Sequence, residues 1–318
     1  MKYNYKKLTI SEYIDELYKN GLQPSTTLNK EDIEKRVQNI GIFRLKGYIK
    51  AFRDGLDNYS FDDVFELYNT DRVISSKMFS LSSEIEVKLK AYLIKIVYEL
   101  SNNPFLYLLK SSYTKDFSLN YESLYDWEIK EQNKNRNSEI YLHYQEYYLK
   151  HYSFDKNKQE YLISQILIID ETKNINYPPF HYFIENLTLG SLIKILSKLQ
   201  IDDKIILKLV AKRFGFYNEK VFLNYLLRLK ELRNRCAHNG RLFNRNYRSI
   251  KVNGVYKEIR KNIYHHRLLD VYYSLYLLLD GTDNIKNSVD LELKFKNELL
   301  KDRDEKTKDF IMKLLRKR

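Results

Sequence analysis

The sequence predicts an all-α protein, and three observations carry that expectation. Its 318 residues include only nine glycines and four prolines, far fewer turn formers than a β-sandwich or barrel needs. Apolar residues recur at three- and four-residue intervals over long stretches, without sustained alternation. Capping residues stand where those stretches begin. With 43% hydrophobic and 14% aromatic residues the chain can build a sizeable core, which excludes intrinsic disorder.

The first helix opens with a capping box, Thr9 with Glu12, continues through Ile10, Tyr13, Ile14, Leu17 and Tyr18, and stops at Gly21. A second begins at Asn29, with Asp32 at its third position. Residues 43–55 (FRLKGYIKAFRDG) mix aromatic and basic side chains without a clean period, and a helix is the better reading. Ser60 and Asp63 open a long helix over 61–101, with apolar positions from Val64 and Leu67 through Ile85, Leu89 and Leu93 to Leu100. Periodicity then weakens, and residues 111–161, rich in tyrosine and carrying Trp127, read as an insertion with a polar loop at 131–139. Helical signal returns at 161–169. A run opened by Pro178 and Pro179 passes Phe183 and Leu187, is punctuated by Gly190, and continues to Leu199. Helices follow over 201–214, over 218–238 with Asn218 as N-cap and Gly240 as the C-terminal residue, over 265–279 and over 288–315. No repeat and no Pro/Ser-rich linker marks a boundary, so the expectation is one domain over 1–318.

Composition also bounds the chemistry. The single cysteine, Cys236, excludes an internal disulfide and multi-thiolate metal sites, and its place on an apolar helical stripe makes it a core residue. His143, His151, His181, His265 and His266 show no ligand spacing, so no metal is expected. Phosphate-binding glycine motifs are absent from the sequence, so no nucleotide cofactor is expected either. The first residues lack an apolar leader core, and no apolar run approaches the roughly 20 residues of a membrane span; a cytoplasmic protein without a membrane partner is expected.

The net charge is +13, and its distribution says more than its size. A uniform excess of Lys, Asn, Ile and Tyr is what AT-rich codons supply. Residues 228–251, however, hold Arg228, Lys230, Arg233, Arg235, Arg241, Arg245, Arg248 and Lys251 against one acid, Glu231, a net +7. The bias is toward arginine, whose planar fork suits phosphate. Within the helix over 218–238, Phe222, Tyr225, Leu226, Leu229, Leu232 and Cys236 form the core stripe. Arg233 projects from the same side, where a hydrophobe is expected and a guanidinium needs a carboxylate or an anionic ligand to offset its desolvation. Asn234 and His238, four apart, share the adjacent face.

The resulting motif, RNRCAH, resembles the R-x4-H motif of the HEPN superfamily, and RNRCAHNGRLFN resembles the signature of the Abi-like group, the AbiD/AbiF abortive-infection proteins of bacteria. The blocks LTISEYIDELYKNGL, IFRLKGYIKAFR, FDDVFELYNTDR, SSEIEVKLKAYL and FIENLTLGSLIKIL follow the family's order and spacing. Departures are Lys88 and Lys90 where an arginine is expected, Asn239 where a second histidine is frequent, and the tyrosine-rich insertion.

The resemblance implies a HEPN-type helical bundle with additional N- and C-terminal helices. It also implies RNA as substrate, and metal-independent cleavage at a site shared by two protomers of a homodimer. In such a site the ribose 2′-hydroxyl attacks the adjacent phosphate, giving a 2′,3′-cyclic phosphate and a 5′-hydroxyl. His238 would exchange protons, Arg233 and secondarily Arg241 would stabilise the phosphorane, and Asn234 would orient the histidine or phosphate. Arg228, Lys230, Arg235, Arg241, Arg245, Arg248 and Lys251 would track the phosphate backbone. A phage-defence toxin held silent by a small RNA antitoxin is the implied biology. Plainer readings stand beside these: His238 as a helix C-cap, Arg233 as an ion-pair partner of Glu84, Glu86 or Glu185, and the chain as a non-catalytic RNA-binding module or an interaction scaffold. The basic end of the chain, KLLRKR, reads as a solvated tail.

Overall fold

The computed structural model describes residues 8–52, 55–104, 106–108, 110–114, 180–251, 266–280 and 288–315. The predicted helix at 161–169, the loop at 131–139 and nearly all of the tyrosine-rich segment lie outside the described residues. Eleven α-helices and one two-stranded sheet account for most of what is described, so the fold is all-α. The chain forms two compact units, Met1–Ile85 with Asn224–Arg318, and Glu86–Leu223.

In the first unit, α1 (Ile10–Lys19) carries the predicted capping box: the Glu12 amide donates to Thr9 Oγ1, and the Thr9 amide donates to the Glu12 carboxylate at 2.7 Å. Helix α2 (Lys30–Ile40) is capped by Asn29, whose Oδ1 accepts from the Asp32 amide. Helix α3 (Ile42–Ile49) settles the aromatic and basic segment as a helix that buries Leu45, Tyr48 and Ile49 and then tightens into a 3-10 turn. Helix α4 (Phe61–Leu100) runs 40 residues, and its first part lays Val64, Leu67, Ile74, Met78, Leu81 and Ile85 into the core.

Among the described residues the second unit takes the rest of α4, three short α-helices and a two-stranded hairpin. Helix α5 (Phe180–Asn186) and α6 (Leu189–Leu196) are separated by Leu187 and Thr188. The break is therefore not at Gly190, which lies inside α6; Thr188 caps that helix by accepting from the Ser191 amide. The helix expected over 201–214 starts later. Gln200–Ile201 (β1) and Lys204–Ile205 (β2) pair antiparallel around Asp202 and Asp203, both at positive φ, which is the backbone of a two-residue hairpin turn. Helix α7 (Ile206–Arg213) follows.

Helix α8 (Glu219–Ala237) begins in the second unit and ends in the first. The Asn218 side chain caps it by accepting from the amides of Lys220 and Val221. In the first unit, α9 (Leu268–Asp280) is almost wholly buried. The single helix expected over 288–315 is two, α10 (Ser288–Leu299) and α11 (Glu305–Leu315). Asp304 starts the second by accepting from the amide and hydroxyl of Thr307. Among the described residues no helix is long and apolar enough to cross a membrane.

Candidate active site

The site residues gather at the end of α8. Phe222, Tyr225, Leu226, Leu229, Leu232 and Cys236 are buried, as the periodicity predicts. Burial pushes the Cys236 thiol up to about 11, so it is an inert, protonated part of the core. Arg233 and Asn234 are half-buried and His238 is exposed. The Arg233 guanidinium lies over the ring of Phe79 from α4, 5.8 Å from its centroid.

The helix closes by a specific device. The amide of Asn239 donates to the carbonyl of Cys236, the amide of Gly240 donates to the carbonyl of Arg235 at 2.7 Å, and Asn239 has φ +52°. This is a Schellman closure with Asn239, not Gly240, in the left-handed position, and with His238 as the C-cap residue. Asparagine tolerates that backbone better than most side chains, which gives the Asn239 departure a local physical reason.

Two neighbours on α4 lock the closure. Asp71, completely buried, accepts from Tyr48 Oη at 2.5 Å, from Arg72 Nη2 at 3.0 Å, and from the amides of Leu242 and Phe243 at 3.2 Å. Arg72 Nη2 also donates to the carbonyl of Gly240 at 3.1 Å, and Nη1 reaches Asn239 Oδ1 at 3.4 Å. Burial works against the Arg72 cation, but Tyr48 and Asp71 outweigh it and its pKa is raised. The role of this pair was missed by sequence reasoning. The signal was present: Asp71 stands on the apolar stripe of α4, four residues after Leu67 and three before Ile74, where a carboxylate demands several donors.

Arg241 follows the closure and folds onto α3. A Cβ at Gly47 would lie 2.8 Å from its Nη1 and 2.9 Å from its Cζ, so the glycine makes room for the guanidinium. Its Nε and Nη1 are buried without a hydrogen-bond partner. Burial lowers its pKa, Arg245 adds to the effect, and Tyr48 and Asp71 oppose it. The two unpaired donors are enclosed, so only Nη2 of this half-buried guanidinium is left for a partner from outside.

The remaining basic residues divide. Arg228 is not on an RNA-facing surface: its side chain has no exposure, pairs with Asp270 on α9 at 2.8 Å, and donates through Nε to the carbonyl of Arg248. A fully enclosed guanidinium with those partners braces the fold, which corrects the expectation that it binds RNA. Arg235 pairs with Glu231 at 2.9 Å and lies over the Tyr247 ring at 5.0 Å, while the other Glu231 oxygen accepts from the Arg248 amide. Arg245, Arg248 and Lys251 are exposed and Lys230 is half-buried. In the second unit Lys90 Nζ lies 3.7 Å from Glu86 and 3.9 Å from Glu185, and donates to the Glu185 carbonyl at 2.8 Å. Glu84 is exposed. Among the described residues no three His, Cys, Asp or Glu side chains gather as a metal site.

Fold and site together define a helical protein whose distinctive feature is an Arg-x4-His helix end set in basic surface. Residues 35–244 match the family model of the Abi-like proteins, and the chain belongs to that family. Membership points to abortive infection, a form of phage defence. No curated protein and no solved structure matches the chain.

Proposed function

We propose that this protein is a metal-independent endoribonuclease acting as a phage-defence toxin. The observation that carries the reading is the last turn of α8: Arg233, Asn234 and an exposed His238 within two turns, on a terminus locked by Asp71 and Arg72.

The substrate supplies its own nucleophile. A base takes the proton of the ribose 2′-hydroxyl, the 2′-oxygen bonds to phosphorus, and the bond from phosphorus to the 5′-oxygen breaks as that oxygen receives a proton. An imidazole exchanges protons near neutrality and serves either step. His238 takes this role, and a two-fold dimer supplies a second His238 so that one acts as base and the other as acid. Arg233 stabilises the charge that accumulates on the pentacoordinate phosphate, and Asn234 orients the histidine or the phosphate. Arg241 holds a phosphate through Nη2, the nitrogen of its guanidinium that is not enclosed. The exposed Arg245, Arg248 and Lys251, with Lys230, track the RNA backbone. They also offer a surface on which a small antitoxin RNA keeps the enzyme silent in healthy cells.

The test is incubation of labelled single-stranded RNA with purified protein in EDTA, after removal of co-purified RNA by a high-salt wash. The wild type cleaves and His238→Ala binds without cleaving. RNA binding by the wild type with no cleavage under these conditions contradicts the nuclease reading and leaves an RNA-binding module.

A further inference from the structure

The segment IFRLKGYIKAF contains Phe43, Arg44, Lys46 and Lys50 and no acid. Folded as α3 and its following turn, it buries Leu45, Tyr48 and Ile49, and lays Lys46 over the Tyr13 ring at 5.2 Å. Phe43, Gly47 and Lys50 are left on a common face, since offsets of four and seven residues return nearly to the same angle on a helix. The Phe43 side chain is 92% exposed. A lone exposed phenylalanine means little. Here, however, the next turn of the same face is Gly47, and the Arg241 guanidinium rests on it with Nε and Nη1 buried and unpartnered. Arg44 and Lys50 are exposed alongside. Asp71, the carboxylate that acts on Arg241, is already saturated by Tyr48, Arg72 and two backbone amides.

An open aromatic ring one turn from a guanidinium that keeps Nη2 available, flanked by further cations, is the pairing that single-stranded nucleic acid uses: a π-face for a base and a charged donor for the phosphate. We propose that this face of α3 is a base-stacking subsite for single-stranded RNA, in which Phe43 takes one nucleobase on its ring and Arg241, seated on Gly47, holds the phosphate. The inference rests on the RNA reading above for the class of ligand. It assigns to α3 the placement of a nucleotide relative to the end of α8.

The test uses the full chain carrying His238→Ala, so that binding is read without cleavage, with fluorescein-labelled oligoadenylate in an anisotropy titration over a salt series. Adding Phe43→Ala weakens binding about tenfold at every salt concentration, because stacking on one base is lost. The dependence of log affinity on log salt is unchanged, because no phosphate contact is lost. Phe43→Trp restores binding. Arg241→Ala instead flattens the salt dependence by about 0.7, the contribution of one contact to a single strand. Gly47→Ala weakens binding less than Arg241→Ala does, because the new methyl shifts the guanidinium but leaves its charge in place. Unchanged affinity in Phe43→Ala overturns the subsite, as does a shift from dimer to monomer in light scattering with affinity intact, which assigns Phe43 to a contact between copies. The two proposals fail separately. Cleavage in EDTA that is indifferent to Phe43 removes the subsite alone, Phe43-dependent binding without cleavage by the wild type removes the nuclease alone, and no binding at low salt removes both.

Discussion

Arg72, on α4, donates to the carbonyl of Gly240 at 3.1 Å, one residue beyond the left-handed Asn239 that ends α8. That bond ties the helix end carrying His238 to a residue 168 positions away in sequence. Its neighbour Asp71 holds the amides of Leu242 and Phe243. The backbone that follows His238 is therefore held from α4 as well as by its own helix.

Removing the carboxylate tests the clamp. Asp71→Asn leaves Arg72 without its buried partner and costs about 3 kcal/mol of stability, read from the urea midpoint. At a temperature where both proteins are folded, Arg72→Ala lowers kcat for RNA cleavage more than it raises KM, since it frees the terminus without touching the backbone-tracking arginines. An equal loss in both variants of binding alone would contradict the positioning role.

Asn239 separates backbone demand from side-chain chemistry. Asn239→Gly keeps the left-handed residue and leaves stability within a few tenths of a kcal/mol of wild type, whereas Asn239→Ala costs about 1 kcal/mol. Thermal unfolding of the two variants decides this. Matching losses would mean that the 3.4 Å contact to Arg72, and not φ, matters at this position.

Much of this was legible in the sequence, and what was not has identifiable causes. Thr9, Asn29, Ser60 and Asn218 mark helix starts because a cap is local: the acceptor and the amides it serves lie within three residues. Asp304 does the same work, yet the run from 288 to 315 kept enough apolar periodicity to hide it. The hairpin at Asp202 and Asp203 was missed because its turn uses aspartate, not glycine, at positive φ. Within α8, Arg233 lies on the side of the apolar stripe and Arg228 beside it, and the helical angle alone does not separate a buried arginine from a functional one. Asp270, 42 residues away, decides for Arg228, and no local pattern announces such a partner.

That pair yields its own prediction. Arg228→Met strands the Asp270 carboxylate and destabilises the protein by about 3 to 5 kcal/mol, while the double variant Arg228→Met, Asp270→Leu recovers most of the loss. Chemical denaturation measures both. At a temperature where the double variant is folded, its RNA affinity has the wild-type salt dependence, because Arg228 contacts no phosphate.

Cys236 predicts an alkaline limb. Its thiol is raised from 9.0 to about 11 by burial, so the folded state holds a proton that the unfolded state releases. The contribution is complete below pH 9 and is lost as pH rises toward 11. Between pH 9 and 10 the wild type loses about 1 kcal/mol relative to Cys236→Ala, in reversible denaturation at each pH. Parallel curves for the two proteins would show that the thiol does not titrate with folding.

The central claim is that His238 and Arg233 act on an RNA whose own 2′-hydroxyl attacks. An oligonucleotide cleaved at a mapped position, resynthesised with a single 2′-deoxy nucleotide on the 5′ side of that bond, tests it directly in EDTA. The account predicts that this one substitution abolishes cleavage there, and that the all-ribose strand yields a 2′,3′-cyclic phosphate and a 5′-hydroxyl. Undiminished cleavage of the deoxy-substituted bond, or a 5′-phosphate on the product, would contradict it.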